Sequence, residues 1–222
     1  MCFSPQADLV GGIAIGAIGV DTVRHCRHRR ELALAAIPLL LGAHQLVEAF
    51  VWWGAEGSVP HALGRLATWA YLLFAFCVLP VLVPAAVMAI EPTNHRRWAM
   101  VPFLGIGVAV SVVLLIALVT GPFSAVAASY HVEYTITLSA GTWVVALYVV
   151  ATCGSLLVSG YRHVTMFGAV NLVAAIVIAY LLVNGFASVW CAWAAVASGA
   201  IALHLRYAQH HRGHRRVQPA PA

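Results

Sequence analysis

The chain contains no lysine; all twelve basic residues among its 222 positions are arginine. That absence excludes chemistry that runs through a lysine amine, the retinal Schiff base and the pyridoxal linkage included. Charge of either sign is scarce: charged residues make up 9% of the sequence and only seven are acidic. A water-facing globule carries about 25% charged residues, so a soluble domain is excluded as well. Ligand pairs at fixed spacing, such as CxxC or HExxH, are also lacking. The net charge of +5 would suggest nucleic acid in a soluble chain. Here the arginines stand between apolar runs and read as membrane orientation, with no nucleic-acid partner.

What the chain has in abundance is hydrophobicity, at 62% of residues and a mean hydropathy of +0.90. A helix needs about 20 apolar residues to cross about 30 Å of hydrocarbon. Seven such runs occur, at 7–23, 33–53, 66–90, 98–120, 138–159, 164–183 and 187–205. Spanning strands are a poor match, because a membrane barrel shows segments of about ten alternating residues rather than unbroken runs. The expected fold is all-α: an integral membrane bundle of seven transmembrane helices over 1–207, then a basic cytoplasmic tail at 208–222.

Arginine sets the direction. Arg24, Arg27, Arg29 and Arg30 follow the first run, Arg96 and Arg97 the third, Arg162 the fifth, and Arg206, Arg212, Arg215 and Arg216 the seventh. Only Arg65 falls on the other side, and the positive-inside rule then puts the N-terminus outside and the C-terminus in the cytoplasm. The expected location is a bacterial plasma membrane. The expected partners are the bilayer and, at the cytoplasmic arginines, its anionic lipid. The N-terminal region has no basic residue before the first run and no small-residue cleavage site, so that run is expected to serve as its own address.

Ionisable groups inside hydrocarbon are costly and mark function by default. Glu48 is the one acidic residue well within a run, and His44, Glu48 and Trp52, spaced by four, share a helical stripe with Gln45 beside them. Burial there favours the neutral carboxyl unless a cation or metal faces it. Cys191 and Cys2 belong to the same outer layer by the expected topology, together with His61, Arg65, His131 and Glu133. Thiols, imidazoles and carboxylates are what transition metals and zinc use. The candidate ligand-binding residues are therefore His44, Gln45, Glu48, Trp52, His131 and Trp190, and the candidate ligands of a transition metal ion are Glu48, His131, Cys191 and Cys2.

Blander readings compete. Glu48 can pair with Arg65 or bond His44 to fix helix register, and six of the seven tryptophans lie in the outer third, as an interfacial belt would. Asn171 and Thr152 are expected to bond between helices. Cys77 and Cys153 read as packing residues and Cys26 as a reduced cytoplasmic thiol, while Cys2 and Cys191 are as suited to a disulfide as to joint ligation. Gly12 with Gly16, and Ala195 with Gly199, permit close helix approach. Pro38, Pro80, Pro84 and Pro102 should kink their helices.

The opening Met1-Cys2-Phe3-Ser4, Gln45 and Glu48 with a following Trp, and Ser188-Val189-Trp190-Cys191 with His204 resemble a bacterial family of multi-span proteins known as a domain of unknown function. His131-Val132-Glu133-Tyr134 and Tyr148 with Ala151-Thr152 are intermediate matching points, and the chain departs from the pattern at Cys153-Gly154-Ser155. The resemblance implies an integral membrane protein and brings no activity. The expected function is binding of a metal ion or small polar ligand in an outer-leaflet site. The alternatives are a proton- or cation-coupled transporter using Glu48 and, less favoured, a metal-dependent membrane hydrolase, for which the last run offers only His204.

Overall fold

The computed structural model describes residues 4–26, 28–128, 131–138, 141–181, 189–190, 193–199 and 202. Helix α1 (Pro5–Arg24) opens at Ser4, whose hydroxyl accepts from the Ala7 N–H, with Pro5 preset for the first turn. It runs antiparallel to α2 (Leu32–Ala55) after a short 3₁₀ turn at Arg29–Glu31. Small residues join the two. A Cβ on Gly12 would lie 2.7 Å from Leu46, and one on Gly42 would lie 2.5 Å from the Gly16 nitrogen. The backbones thus approach in the way that small residues allow between lipid-embedded helices.

The chain then turns through Gly57, whose φ of 75° suits glycine, into α3 (His61–Leu72). A π turn at Leu73–Val78 joins α3 to α4 (Leu79–Ile90). Helix α5 covers Asn94–Thr120, α6 Gly141–Val149, a second π turn Val150–Gly154, α7 Ser155–Leu157 and α8 Arg162–Leu181. Five helices are long and apolar enough to cross a membrane: Pro5–Arg24, Arg29–Ala55, His61–Ile90, Asn94–Thr120 and Arg162–Tyr180. Gly141–Leu157 is a shorter apolar helix. Of the last expected span, residues 189–190 and 193–199 are described as helical; Ala195 packs with Ile15, and Gly199 faces Ile15 and Ile18 of α1.

The expected proline kink at Pro80 takes the form of a π turn, and the geometry explains its cross-bonds. The Leu79 N–H bonds to the Phe74 carbonyl, five residues back. In that register position 80 would serve Ala75, but proline has no N–H. The Tyr148 hydroxyl donates to the Ala75 carbonyl instead, at 2.8 Å, and the Ser111 hydroxyl donates to that of Cys77 at 2.6 Å. Tyr148→Phe is expected to lower stability by about 1–2 kcal/mol, because a buried carbonyl loses its donor. Thermal unfolding in detergent measures it. Asn171 and Thr152, expected to bond between helices, instead donate to carbonyls of their own helices, Phe167 for the first and Tyr148 for the second.

One element departs from the all-α expectation. The segment after α5 forms an antiparallel hairpin, β1 (Phe123–Ala127) with β2 (Val132–Ile136), in the register Phe123–Ile136, Ala125–Tyr134, Ala127–Val132. Alternation puts those six side chains on the inner face, against the core formed by Val51, Trp52, Tyr71, Leu72 and Trp190. The hairpin lies where α2 ends and α3 begins. At the opposite end, Glu91 closes the bundle: its Oε1 accepts from the Ser159 hydroxyl at 2.7 Å and the Gly160 N–H at 2.9 Å, while Arg97 Nε donates to the Glu91 carbonyl at 2.9 Å.

Candidate functional site

The α2 stripe holds together as the spacing implies. His44, Gln45, Glu48 and Trp52 are all buried, and Glu48 is completely shielded from solvent. Glu48 Oε2 accepts from Gln45 Nε2 and Oε1 from the Tyr134 hydroxyl of β2, each at 3.4 Å. Arg65 is not its ion-pair partner; that guanidinium sits 6.0 Å from the centre of the Phe123 ring. The His44 ring stacks instead on Tyr71, with centroids 4.0 Å apart. Tyr71 in turn stacks on Tyr134 at 4.5 Å, with an angle of 8° between the planes. Three rings from α2, α3 and the hairpin therefore form one column beside the carboxylate.

A second acid joins this region. Asp8, in the first turn of α1, is completely buried, and the Trp52 indole faces it. The pair falls short of hydrogen-bond geometry, so both Asp8 oxygens and Trp52 Nε1 have no hydrogen-bond partner. His44 Nε2 and Gln45 Oε1 are in the same condition. Buried polar atoms are nearly always paired, yet five of the six unpartnered ones among the described residues lie on Asp8, His44, Gln45 and Trp52. Three of the five, both Asp8 oxygens and Gln45 Oε1, can only accept when Asp8 is ionised. The cluster is rich in acceptors and short of donors.

Other expected residues fare differently. His131 lies at the hairpin turn, where its Nε2 is 3.5 Å from Glu133 Oε1. Trp190 is buried in the apolar core with Trp52, so neither tryptophan belongs to an interfacial belt, whereas Trp143 is 74% exposed and fits one. Cys2, Cys191 and His204 lie outside the described residues. Among the described residues no group of three His, Cys, Asp or Glu could hold a metal ion. Cys77 and Cys153 are buried free thiols, in keeping with a packing role.

Asp8 and Tyr71 are not among the candidate site residues of the sequence, and Tyr134 enters there only as a matching point of the family resemblance. Asp8 sits near the chain start and reads as a flank of a short run; its signal was the polar residue one turn inside a proline-started helix. Tyr134 carried a signal in its alternation, Val132, Tyr134 and Ile136 against Glu133 and Thr135. No curated protein and no solved structure matches the chain. One family model does, described as a "Family of unknown function (DUF6629)", over residues 1–218. With the whole bundle and its buried acids inside that match, the chain belongs to the DUF6629 family.

Proposed function

We propose that the protein crosses the membrane seven times, with its N-terminus outside and its C-terminus in the cytoplasm, and that its acidic cluster binds a metal ion or a small, donor-rich polar ligand. The direction is supported by the arginines: Arg24, Arg29, Arg30, Arg96, Arg97 and Arg162 stand at the helix ends opposite the hairpin, and Arg65 at the hairpin end. Binding is supported by one observation above all, the three buried acceptor oxygens of Asp8 and Gln45 that make no hydrogen bond, with only the Trp52 indole turned toward Asp8. A cation or an ammonium group supplies what they lack, and Glu48 adds a second carboxylate.

The test uses the full chain in lipid nanodiscs. Elemental analysis reads any metal that copurifies, and titrations with divalent metal chlorides or methylammonium chloride read binding through tryptophan fluorescence. One saturable site is expected, weakened at least tenfold in Asp8→Asn and in Glu48→Gln. If no metal copurifies and no titrant saturates, the reading falls, and a changed melting point in either variant then assigns the cluster a structural role.

Coupled transport through Glu48 is the second reading. It is favoured by the π turn that starts one residue after the Tyr71-Leu72 pair, since such defects recur at functional sites in helices. It requires uptake into proteoliposomes that depends on pH and is abolished by Glu48→Gln; unchanged flux in that variant refutes it.

A further inference from the structure

A groove of about 580 Å3 opens at the hairpin end, between the end of α2, the start of α3 and strand β1. That volume is in the range that holds a small organic ligand. Its α3 wall is a single helical face: His61, Gly64, Arg65 and Thr68 follow the i, i+3, i+4, i+7 pattern. The close approach of α2 and α3 shapes the floor, where a Cβ on Gly54 would lie 2.5 Å from the Cα of Gly64. Val51 and Phe123 make part of the opposite lining apolar.

The charge of the groove is one-sided. Arg65 and His61 are both exposed, and neither has an ion-pair partner among the described residues. The Arg65 guanidinium sits 6.0 Å from the centre of the Phe123 ring, an aromatic support that leaves its N–H donors available. Helix α3 also begins without a side-chain cap, since Pro60 offers none. The Leu63 and Gly64 N–H groups bond the Pro60 carbonyl, which leaves those of His61 and Ala62 and the positive end of the helix dipole at the start of α3. A cationic fork, a second basic ring and an uncapped helix start converge beside an apolar wall.

We propose that this groove binds a phosphate group carried on an apolar body. Arginine meets phosphate through two parallel donors, a helix start favours the same anion, and Val51 with Phe123 takes the apolar part. The site is separate from the acidic cluster and stands whether or not that cluster binds a cation. The phosphate can come from two sources, the headgroup of a lipid in the surrounding leaflet or a free phosphate compound from the aqueous side.

The experiment uses the full chain in dodecyl maltoside, an uncharged detergent, with native mass spectrometry as readout. The probes are lysophosphatidylglycerol, inorganic phosphate and monoacylglycerol, which lacks the phosphate. A one-to-one adduct with lysophosphatidylglycerol is expected, absent with monoacylglycerol and weakened at least tenfold in Arg65→Gln. His61→Ala should weaken it several-fold. Competition by inorganic phosphate would assign recognition to the head alone and a soluble source; failure to compete would assign a lipid. Both side chains are exposed, so each variant should melt as the parent does. The proposal is overturned if neither phosphate probe binds, if monoacylglycerol binds as well as the phospholipid, or if Arg65→Gln binds like the parent.

Discussion

Gly107→Ala is expected to destabilise the bundle by about 3 kcal/mol or more, the upper range for forcing an extra methyl into a filled interior. Gly107 of α5 faces the π turn, and a Cβ there would overlap the carbonyl oxygen of Pro80. The obstacle is backbone, which cannot swing aside as a side-chain tip can. Moving it would also disturb the neighbouring bonds from Tyr148 to Ala75 and from Ser111 to Cys77. Alanine alone favours a helix over glycine by about 1 kcal/mol, so the intrinsic preference works in the opposite direction. Gly105 isolates that preference: on the same helix, nothing lies within 4 Å of a Cβ built there. Gly105→Ala is expected to be neutral or slightly stabilising. Cys77 and Cys153 are buried thiols, so a thiol-reactive dye followed during heating in detergent measures both variants. Equal midpoints for the two would show that the close contact is not limiting.

Glu91→Ala is the second large effect, expected at about 2–4 kcal/mol. Glu91 is completely buried, although it follows the last turn of α4. Its Oε1 holds the Ser159 hydroxyl and the Gly160 N–H, binding the α4 end to the turn before α8. Truncation leaves two donors without an acceptor, and each such loss costs about 1–3 kcal/mol. Arg97 bonds the main-chain carbonyl of Glu91 and keeps its contact. Glu91→Gln retains an acceptor in the position of Oε1, so it should lose less than half as much. The same melting assay decides: if glutamine is as harmful as alanine, the bonds from Ser159 and Gly160 are not what the carboxyl contributes.

The long helices were legible because lipid leaves the backbone little choice. A segment that must satisfy its own N–H and C=O groups in hydrocarbon becomes a helix of about 20 apolar residues. The described helices therefore track the runs closely. The run read at 66–90 begins at His61 because its first turns carry His61 and Arg65, which lower local hydropathy without breaking the helix. The hairpin escaped because five-residue strands are shorter than any window that detects spans, and only its alternation betrays it. The stripe His44, Glu48, Trp52 was legible from spacing alone. Asp8 was not, since the side chain that faces it, Trp52, is over forty positions away in sequence, and the Tyr71–Tyr134 stack joins elements that no local pattern relates. The proline at position 80 announced a helix defect, but its identity as a π turn rests on Tyr148 and Ser111 from other helices.

The distance in sequence between Glu48 and the tyrosine that donates to it has a consequence for synthesis. The two are 86 residues apart. A ribosome adding 5–20 residues per second takes roughly 4–17 s to cover that interval. Helices α1 and α2 meet at glycine, so Glu48 has Gln45 of its own helix from the start but waits for the tyrosine on the hairpin. Ribosome pausing upstream of codon 134 would lengthen that wait, and the burden on whatever machinery shelters a half-made bundle would rise with it.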